Sequence, residues 1–435
     1  MTLIEFYVDD QIENICSALA CHPERVILVG NKSTIMERSA ERYRKILENR
    51  GHEVEFLCRT AAINNLSAII QVLSDIVEEY PNCIFDLTGG EDLYLVAAGI
   101  VLERYRDRGV QMHRYSVTKN AFIDCDGDED VIAKSEPVDI SVEENIRIYG
   151  GDIVYEEQRE NTTFRWDMNE EFQSDIRAIW EICRKDVRAW NAQIGILKAS
   201  EKLALLEESR HLKQPSEGLE RVIPTSQLMK AVKEAGYAFV FDNRIVQQLR
   251  DAGLVRKILC DDRLFEIEYK SAQVKYCLTM EGQALEMRVY LEALLAWDKK
   301  KNTKIYNDVM NGVWIDWDGE IHATTYSTYD TENEIDIVMM RGLMPIFVSC
   351  KNGYVDKNEL YKLDTVAKRF GGKYAVKVLI ATALESTEGA NYIRQRAEDM
   401  GIILIEGLKK GDGFIDFADL SDEGIEKVVR KIWNT

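Results

Sequence analysis

Two carboxylates and a lysine stand close together in two consecutive strand-like segments. Glu334 and Asp336 lie in the first segment, Lys351 ends the second, and Arg341-Gly342 supplies a turn between them. Because side chains alternate along a strand, pairing of the two segments as a hairpin would bring these charges to one end of a sheet. Carboxylate oxygens suit a hard divalent cation, and a neighbouring lysine can orient a water or stabilise charge on a phosphate. The pattern therefore predicts a metal-assisted site that acts on a phosphate.

The alternative is that these charges only form the solvated surface of an edge hairpin. Two details favour a site. The segment that ends on Lys351 is otherwise apolar, as expected of a buried strand with one charge at its end. Asn352-Gly353 follows as a turn, which would place the lysine at the rim of the sheet beside a cleft.

The hairpin resembles the PD-(D/E)xK restriction-endonuclease-like nucleases. Its fuller phrases, NEID and VSCKNG, are similar to the nuclease half of CRISPR-associated ancillary nucleases that carry a CARF sensor domain. The chain departs from the family at Ser349, where an acidic residue usually stands two positions before the lysine. The resemblance implies that Lys351 activates water or stabilises the transition state, while Glu334 and Ser349 orient water or metal.

The resemblance also implies a divalent metal, Mn²⁺ or Mg²⁺. Asp336 and the carbonyl oxygen of Cys350 would be two ligands, and with Ser349 in the acidic position a further carboxylate must come from elsewhere. The phrase EGQALE, near the start of a helix predicted over 279–299, resembles the G-x-x-L-E helix that opens the nuclease core in these proteins. Glu286 in that phrase is therefore the predicted third ligand, and the alternative is an ordinary surface glutamate.

Composition sets broad limits. A chain of 435 residues with 46% hydrophobic and 30% charged residues is typical of a globular protein of two or three domains. No apolar run approaches the ~20 residues of a membrane span, and the N-terminus lacks the basic start of a signal peptide. We therefore expect a cytoplasmic protein with no membrane partner. Nine scattered cysteines without a CxxC pair are expected to be reduced core residues.

The net charge of −20 argues against constitutive binding of bulk nucleic acid, whose affinity depends on clustered phosphate contacts. It leaves room for a local basic cleft. Residues 351–380, directly after the hairpin, contain seven Lys or Arg and three Asp or Glu.

The first ~125 residues alternate strand and helix patterns, which predicts a Rossmann-like, mainly parallel sheet with helices on both faces. The predicted strands are 3–8, 25–30, 53–58 and 83–87, and the predicted helices are 10–20, 34–50, 65–79 and 92–105. In such sheets ligands bind outside the carboxyl ends of the strands. Two loops lie at such ends: Gly30-Asn31-Lys32-Ser33-Thr34, and Asp86-Leu87-Thr88-Gly89-Gly90-Glu91.

Both loops have the residues of an anion site. Glycines allow close approach of the backbone, and N–H groups at a helix start attract phosphate oxygens. The alternative is two ordinary tight turns, since neither a P-loop nor a GxGxxG fingerprint occurs. The pair resembles the CARF domain over residues 1–154, which implies a cyclic oligoadenylate, most often the tetra-adenylate, in a groove shared across a homodimer. The implied lining is Gly30, Asn31, Lys32, Ser33, Thr88, Gly89, Gly90 and Glu91, the last either capping the helix or contacting a base or ribose.

The middle of the chain differs from both ends. We predict a long helix over 171–208, then two short helices and two strands with the outline of a winged helix. The candidate recognition helix, 243–250, carries only two arginines, so a spacer or dimer contact is favoured over DNA binding. The hairpin and the elements on either side of it give an αβββαβ order that fits the restriction-endonuclease-like fold, with a last helix at 424–433. The predicted domains are 1–154, 155–278 and 279–435.

Together these observations predict a sensor joined to an effector, in the α/β class. By resemblance it is a nuclease of type III CRISPR antiviral defence, activated by a cyclic oligoadenylate and acting on single-stranded DNA or RNA, or on supercoiled DNA. The alternative is a ligand-responsive regulator whose nuclease fold is inactive, for which Ser349 is the best argument. A sensor that degrades its own ligand is disfavoured, because neither loop contains a histidine or another obvious base.

Overall fold

The computed structural model describes residues 1–123, 137–155, 162–210, 218–319, 332–353, 355–382 and 388–406. The N-terminal part is a six-stranded sheet in the order β3-β2-β1-β4-β5-β6, parallel except for β6. Its elements are β1 Thr2–Phe6, α1 Cys16–Cys21, β2 Arg25–Gly30, α2 Ser33–Asn49, β3 Glu55–Thr60, α3 Leu66–Glu79, β4 Cys83–Asp86, α4 Asp92–Arg104, β5 Gln111–Ser116 and β6 Ala121–Ile123. The predicted Rossmann-like α/β architecture is confirmed.

The predicted helix over 10–20 is wrong in its first half. A single 3₁₀ turn, Gln11–Asn14, precedes the short helix α1. The cause is Asn14, whose buried side chain accepts a hydrogen bond from the N–H of Val8 and donates one to its carbonyl, both at 2.8 Å. Because the amide side chain takes the place of backbone partners, the chain bends away from β1 instead of continuing into a helix.

The short segment 142–153 packs against both the N-terminal part and the C-terminal part. Helix α5, Val142–Ile148, packs between α2 and the C-terminal sheet, and β7, Asp152–Ile153, pairs with the C-terminal sheet. Arg50, directly after α2, donates two hydrogen bonds of 2.7 and 2.8 Å to Glu144 on α5. A continuous hydrophobic core therefore runs from one face of the N-terminal sheet to one face of the C-terminal sheet.

The middle contains a small mixed unit. Its elements are α6 Glu170–Cys183, α7 Val187–Arg210, β8 Glu220–Pro224, α8 Thr225–Glu234, α9 Asn243–Asp251, β9 Val255–Cys260, β10 Leu264–Tyr269 and α10 Ala272–Thr279. The single helix predicted over 171–208 is wrong, because Asp186 caps a new helix by accepting the N–H of Ala189 at 3.0 Å. The sheet β8-β10-β9 and its two helices have the outline of a winged helix. The arginines of α9 are engaged within the unit, Arg244 with Asp242 and Arg250 with the carbonyl of Ile258.

The C-terminal part is a six-stranded sheet in the order β17-β16-β15-β14-β13-β7. Its remaining elements are α11 Gln283–Leu295, β11 Trp297–Asp298, β12 Thr303–Lys304, β13 Asp308–Asp316, β14 Glu332–Arg341, β15 Met344–Lys351, α12 Lys357–Gly371, β16 Val376–Ala381, α13 Glu388–Asp399 and β17 Ile402–Glu406. Strands β13 to β15 are antiparallel and β15 to β17 are parallel. Helix α11 begins later than predicted because Gly282, at φ +86°, separates it from α10. The predicted helix at 424–433 lies outside the described residues.

Two further expectations can be compared with the described residues. Over that part of the chain, no helix is both long and apolar enough to cross a membrane. The cysteines resolved there are free thiols, five of them buried.

Candidate functional site

The predicted hairpin forms, and it brings Asp336 against the end of β15. Strands β14 and β15 pair in antiparallel register through Ile337 and Val348, next to the charged residues. One carboxylate oxygen of Asp336, Oδ2, accepts hydrogen bonds from the N–H of Cys350 at 2.6 Å and from Oγ of Ser349 at 3.2 Å. Ser349, which replaces the usual acid, therefore holds Asp336 in place.

The carbonyl of Cys350 points to the same side of its strand as that carboxylate. On the other side, the carbonyl of Lys351 accepts the N–H of Thr382, next to β16, at 3.0 Å. Successive residues of a strand direct their N–H and C=O groups to opposite sides, and the N–H of Cys350 bonds to Asp336. The main-chain oxygen of Cys350 therefore faces the β14 side, where the sequence predicts a metal ligand.

Glu286 is the third predicted ligand, and the structure brings it into this cluster. It lies in the first turn of α11, is 8% exposed, and accepts a 2.6 Å hydrogen bond from Nε2 of Gln283. Burial, together with the negative charges of Asp336 and Glu334, raises the pKa of Glu286 well above its usual range. The positive charge of Lys351 acts in the opposite direction. The surface-residue alternative is therefore wrong for Glu286.

Lys351 makes an ion pair that the sequence did not predict. Its Nζ lies 2.9 Å from Oε2 of Glu359, on α12. Burial disfavours the ammonium, but the charges of Asp336, Glu359 and Glu286 outweigh it and raise the pKa of Lys351. The lysine is therefore held as a cation among carboxylates, which suits electrostatic stabilisation of a phosphate better than proton abstraction.

Helix α12 adds two residues to the site. Glu359 and Lys362 line a narrow cleft together with Glu334, Asp336 and Ser349. Burial raises the pKa of both Glu334 and Asp336, and the positive charge of Lys362 offsets part of this rise. The sequence contained a signal for these two residues. They are three positions apart in the helix that follows the strand ending at Lys351, and this spacing puts both on one face of the helix.

The oxygen donors present fit a hard divalent cation. Two carboxylates and one backbone carbonyl, from Asp336, Glu286 and Cys350, form an all-oxygen set of the kind that Mg²⁺ and Mn²⁺ accept. The buried carboxylate of Glu286 faces two other carboxylates, so a cation at this point would offset their repulsion. Over the residues described, no three or more His, Cys, Asp or Glu side chains are placed as a metal-binding group. The set therefore fits only if the backbone oxygen and solvent complete it.

The two loops of the N-terminal sheet flank the carboxyl end of β1, because β1 lies between β2 and β4. Nζ of Lys32 forms an ion pair with Asp9 at 2.7 Å. This hydrogen bond and the nearby charges of Asp9, Tyr7 and Glu91 raise the pKa of Lys32 against the effect of burial. Glu91 belongs to the second loop, so the two loops face each other across the end of β1, where a parallel sheet binds ligands.

The loop residues divide into an exposed set and an inward-facing set. The exposed ones are Asn31, Lys32, Ser33 and Glu91. Thr88 is buried, and both its N–H and its hydroxyl donate to Oδ1 of Asp86. Its hydroxyl also accepts the N–H of Tyr115 at 2.6 Å. Thr88 therefore fixes the shape of the loop, and the side chain of Glu91 makes no capping bond to α4.

Two loop glycines are required by close packing. Gly90 has φ +110°, and a Cβ there would lie 2.8 Å from Cβ of Phe6. A Cβ on Gly30 would lie 2.8 Å from Sδ of Met36. Larger residues would push the loops away from the end of β1, so the glycines keep the backbone close to the candidate ligand position.

The segment directly after β1 connects these loops to the C-terminal sheet. Asp9 pairs with Lys32, and the next residue, Asp10, accepts the N–H of Lys373 at 2.9 Å. Glu13 accepts Nζ of Lys373 at 2.8 Å. Lys373 lies in the 3₁₀ turn Gly372–Tyr374 that directly follows α12. One short segment therefore contacts both the candidate ligand loops and the helix that carries Glu359.

No protein-family model matches the chain, and no curated protein matches it. Among solved structures, Can2 from Sulfobacillus thermosulfidooxidans in complex with cyclic tetra-adenylate matches with a TM-score of 0.62 at 15% identity, covering 98% of this chain and 97% of that one. Protein VC1899 from Vibrio cholerae matches with a TM-score of 0.68 at 14% identity, again covering 98% of this chain and 97% of that one. A type III CRISPR defence DNA nuclease activated by cyclic oligoadenylate matches with a TM-score of 0.46 at 15% identity. This match covers 98% of this chain and 52% of that one.

At 14% and 15% identity the first two matches show a shared fold. The chain has the architecture of Can2 and VC1899 over almost its whole length, from the Rossmann-like sheet to the C-terminal sheet. The α/β fold that the sequence predicts, with a Rossmann-like sheet followed by a second sheet, is therefore shared with these two structures. The roles of individual residues stay predictions.

Proposed function

We propose that this protein is a metal-dependent nuclease of type III CRISPR antiviral defence, activated by a cyclic oligoadenylate. The observation that carries the proposal is the convergence of Glu286, Asp336 and Lys351 at one end of the C-terminal sheet. The shared fold with Can2, whose structure contains cyclic tetra-adenylate, supports that compound as the activator. DNA and RNA both remain candidate substrates, including single strands and supercoiled plasmid.

Each residue of the cluster has a distinct role in the proposed hydrolysis. Asp336 and Glu286, with the carbonyl of Cys350, would hold Mn²⁺ or Mg²⁺, which supplies a Lewis acid and a more acidic bound water. Ser349 orients Asp336 through its hydroxyl. Lys351 remains protonated and stabilises the negative charge that develops on the phosphate. Glu334 lies beside Asp336 and would orient the attacking water.

Lys362 provides a second positive charge in the same cleft. It lies on α12 with Glu359, which pairs with Lys351. A substrate phosphate held beside Asp336 would be attracted by both Lys362 and Lys351, and it would compete with Glu359 for Lys351. We therefore assign Lys362 to phosphate binding and Glu359 to holding Lys351 when substrate is absent.

For activation, we propose that the ligand binds the loops around Asn31, Lys32 and Gly90 in a groove completed by a second copy of the chain. A phosphate beside Lys32 would compete with Asp9 for its ammonium group. Displacement of Asp9 would move the adjoining residues, which contact the turn after α12. Such a change is a switch only if the ligand binds the active arrangement more tightly than the resting one.

The proposal is tested by cleavage of single-stranded DNA, single-stranded RNA and supercoiled plasmid with Mn²⁺, with and without cyclic tetra-adenylate. We expect cleavage that requires the activator and falls by at least about a hundredfold in Lys351→Ala, the scale of losing one preorganised electrostatic group. Lys230→Ala, an exposed lysine of α8, is the matched control and should cleave normally. Cleavage unchanged by Lys351→Ala would show that the site is misplaced.

Metal binding has a readout that does not depend on cleavage. A cation that binds only the folded protein stabilises it by about 2.7 kcal/mol at a hundred times its dissociation constant. Mn²⁺ should therefore raise the unfolding temperature of the protein relative to EDTA, and should do so much less in Asp336→Asn. If the activator binds tightly but neither metal binding nor cleavage is found, the regulator with an inactive nuclease fold is correct instead.

A further inference from the structure

Three aromatic side chains form an unassigned cluster beside the candidate catalytic residues. The ring of Trp166 lies 5.0 Å from that of Tyr276, and the ring of Phe164 lies 6.3 and 6.1 Å from the two. Phe164 is 50% exposed, although a phenylalanine gains most by being buried. The cluster therefore presents the ring of Phe164 to solvent, while Trp166 is partly buried and packs against Phe172 of the hydrophobic core.

This cluster is connected to the candidate catalytic strand by hydrogen bonds. Nε1 of Trp166 donates to Oδ1 of Asn311 at 3.2 Å, and Nδ2 of Asn311 donates to the main-chain carbonyl of Asp336 at 3.1 Å. Tyr276 lies on α10, which packs against α11, the helix that carries Glu286. One end of the aromatic surface thus adjoins the residues proposed to hydrolyse a phosphodiester.

The cleft next to the cluster suits a base better than a phosphate. It has a volume of about 610 Å³, within the range of small-ligand sites, and Phe164, Trp166 and Tyr290 line it. Asp139, Glu143 and Asp308 also line it, against one cation among the described residues of the lining, Arg165, which pairs with Glu143 at 3.3 Å. The lining therefore carries a net negative charge that disfavours a phosphate inside. A base presents an apolar face for stacking and N–H groups that carboxylates and amide oxygens can accept. The sugar-phosphate backbone would instead remain outside, on the side of Lys351.

We propose that Phe164, Trp166 and Tyr276 form a stacking platform for an unpaired base of a single-stranded nucleic acid substrate, next to the scissile phosphate. This proposal rests on the proposed nuclease function and specifies its substrate. Bases of an intact duplex are covered on both faces by their neighbours, whereas every unpaired base offers a π-face to an aromatic side chain. Because stacking does not read the sugar 2′-hydroxyl or the base edge, DNA and RNA strands of different sequence are all accepted.

The test is a binding measurement in EDTA, where hydrolysis does not interfere. Fluorescein-labelled oligothymidylate, oligouridylate and a blunt DNA duplex are titrated with the full-length protein in the presence of cyclic tetra-adenylate. Phe164→Ala should weaken single-strand binding by about tenfold, the usual effect of removing one stacking ring. Phe164→Trp should restore it. Tyr392→Ala, which removes an aromatic residue 48% exposed on α13, should have no effect.

The outcomes separate this inference from the proposed function. Equal single-strand affinity for Phe164→Ala and the unsubstituted protein overturns the platform, as does an absence of single-strand binding in a protein that cleaves duplex. In both cases the nuclease proposal survives if cleavage still requires Lys351. Phe164-dependent binding without any cleavage under activating conditions would instead support the platform and overturn the nuclease. Phe164 is half exposed, so its substitution should leave the unfolding temperature unchanged and the result interpretable.

Discussion

Asp10 is the residue whose substitution best tests how the two halves communicate. Its carboxylate accepts hydrogen bonds from the hydroxyl of Tyr149 at 2.7 Å and from the N–H of Lys373 at 2.9 Å. Gly372 packs directly against it, since a Cβ there would lie 2.5 Å from the carboxylate. Asp10 also comes directly after Asp9, the partner of Lys32. We expect Asp10→Ala to weaken the contact between this segment and the turn after α12, where the contacts of Glu13 remain, while leaving both ends in place.

The two hydrogen bonds set the magnitude. Bonds to a charged group contribute about 1.5–3 kcal/mol each, so Asp10→Ala should lower the free energy of unfolding by roughly 3 kcal/mol in this half-buried position. Coupling between two binding sites typically amounts to about 1–3 kcal/mol, which is the same scale. If these bonds carry a substantial part of the coupling, activation by cyclic tetra-adenylate should fall by about tenfold or more, because about 1.4 kcal/mol corresponds to a factor of ten.

Two measurements are compared in this experiment. The first is the ratio of cleavage rates with and without activator, and the second is the activator's affinity, measured by calorimetry. We expect Asp10→Ala to lose activation and to retain binding. Asp75→Ala, whose carboxylate contacts Gln71 of its own helix, is the control for removing an acid from the same sheet domain. Asp10→Asn, which keeps the shape and one acceptor, covers the case in which the alanine variant does not fold.

The reasoning is refuted if Asp10→Ala unfolds more easily but is activated by the same factor as the unsubstituted protein. The contacts would then only hold the domains together. Spatial connection alone does not establish coupling, so this result would require a different route, such as a change in the dimer.

Two further predictions concern the N-terminal sheet. Gly90→Ala should weaken binding of cyclic tetra-adenylate by about tenfold, because the φ of +110° and the contact with Phe6 both disfavour a side chain. The control Gly236→Ala, at a glycine with positive φ but open space around it, should bind normally. Equal affinities of Gly90→Ala and the unsubstituted protein would refute the steric argument. Burial and the charge of Asp86 raise the pKa of Glu5 well above its usual range, so the folded protein keeps a proton that the unfolded chain releases above about pH 4.5. Stability of the unsubstituted protein should therefore fall as pH rises through this window, and Glu5→Gln should gain about 1.4 kcal/mol relative to it for each pH unit there. Urea midpoints that stay parallel between pH 5 and 8 would contradict this.

Local sequence patterns were sufficient for most of the fold. The strand at 25–30 was predicted with the bounds that β2 has, and the hairpin turn around Gly342 was located from a two-residue signal. Both depend on side-chain alternation and turn chemistry, which are properties of a few neighbouring residues. The errors arose where a side chain formed a specific bond. Asn14 replaced a helical turn by bonding to Val8, and Asp186 divided one predicted helix into two.

The candidate site likewise contains some residues that the local sequence predicted and others whose place depends on packing. Glu334, Asp336 and Lys351 were predicted together because they are close in sequence and share a hairpin. Glu359 and Lys362 were missed, since their place depends on how α12 packs on the sheet. The resemblance implied that Thr88 lines the ligand groove, but the fold turns its hydroxyl inward to Asp86 and Tyr115.

The sequence by itself determined the α/β class, the order of the elements, the charged hairpin and the two glycine-containing loops. Each of these depends on spacing within about twenty residues. Only the tertiary structure decided which residues of different elements meet: Lys351 with Glu359, Asp10 with Lys373, and Phe164 with Tyr276. The physical reason is that these contacts depend on the packing of whole helices and sheets around a shared core, which is set by the sum of many weak apolar contacts and leaves no local periodicity in the chain.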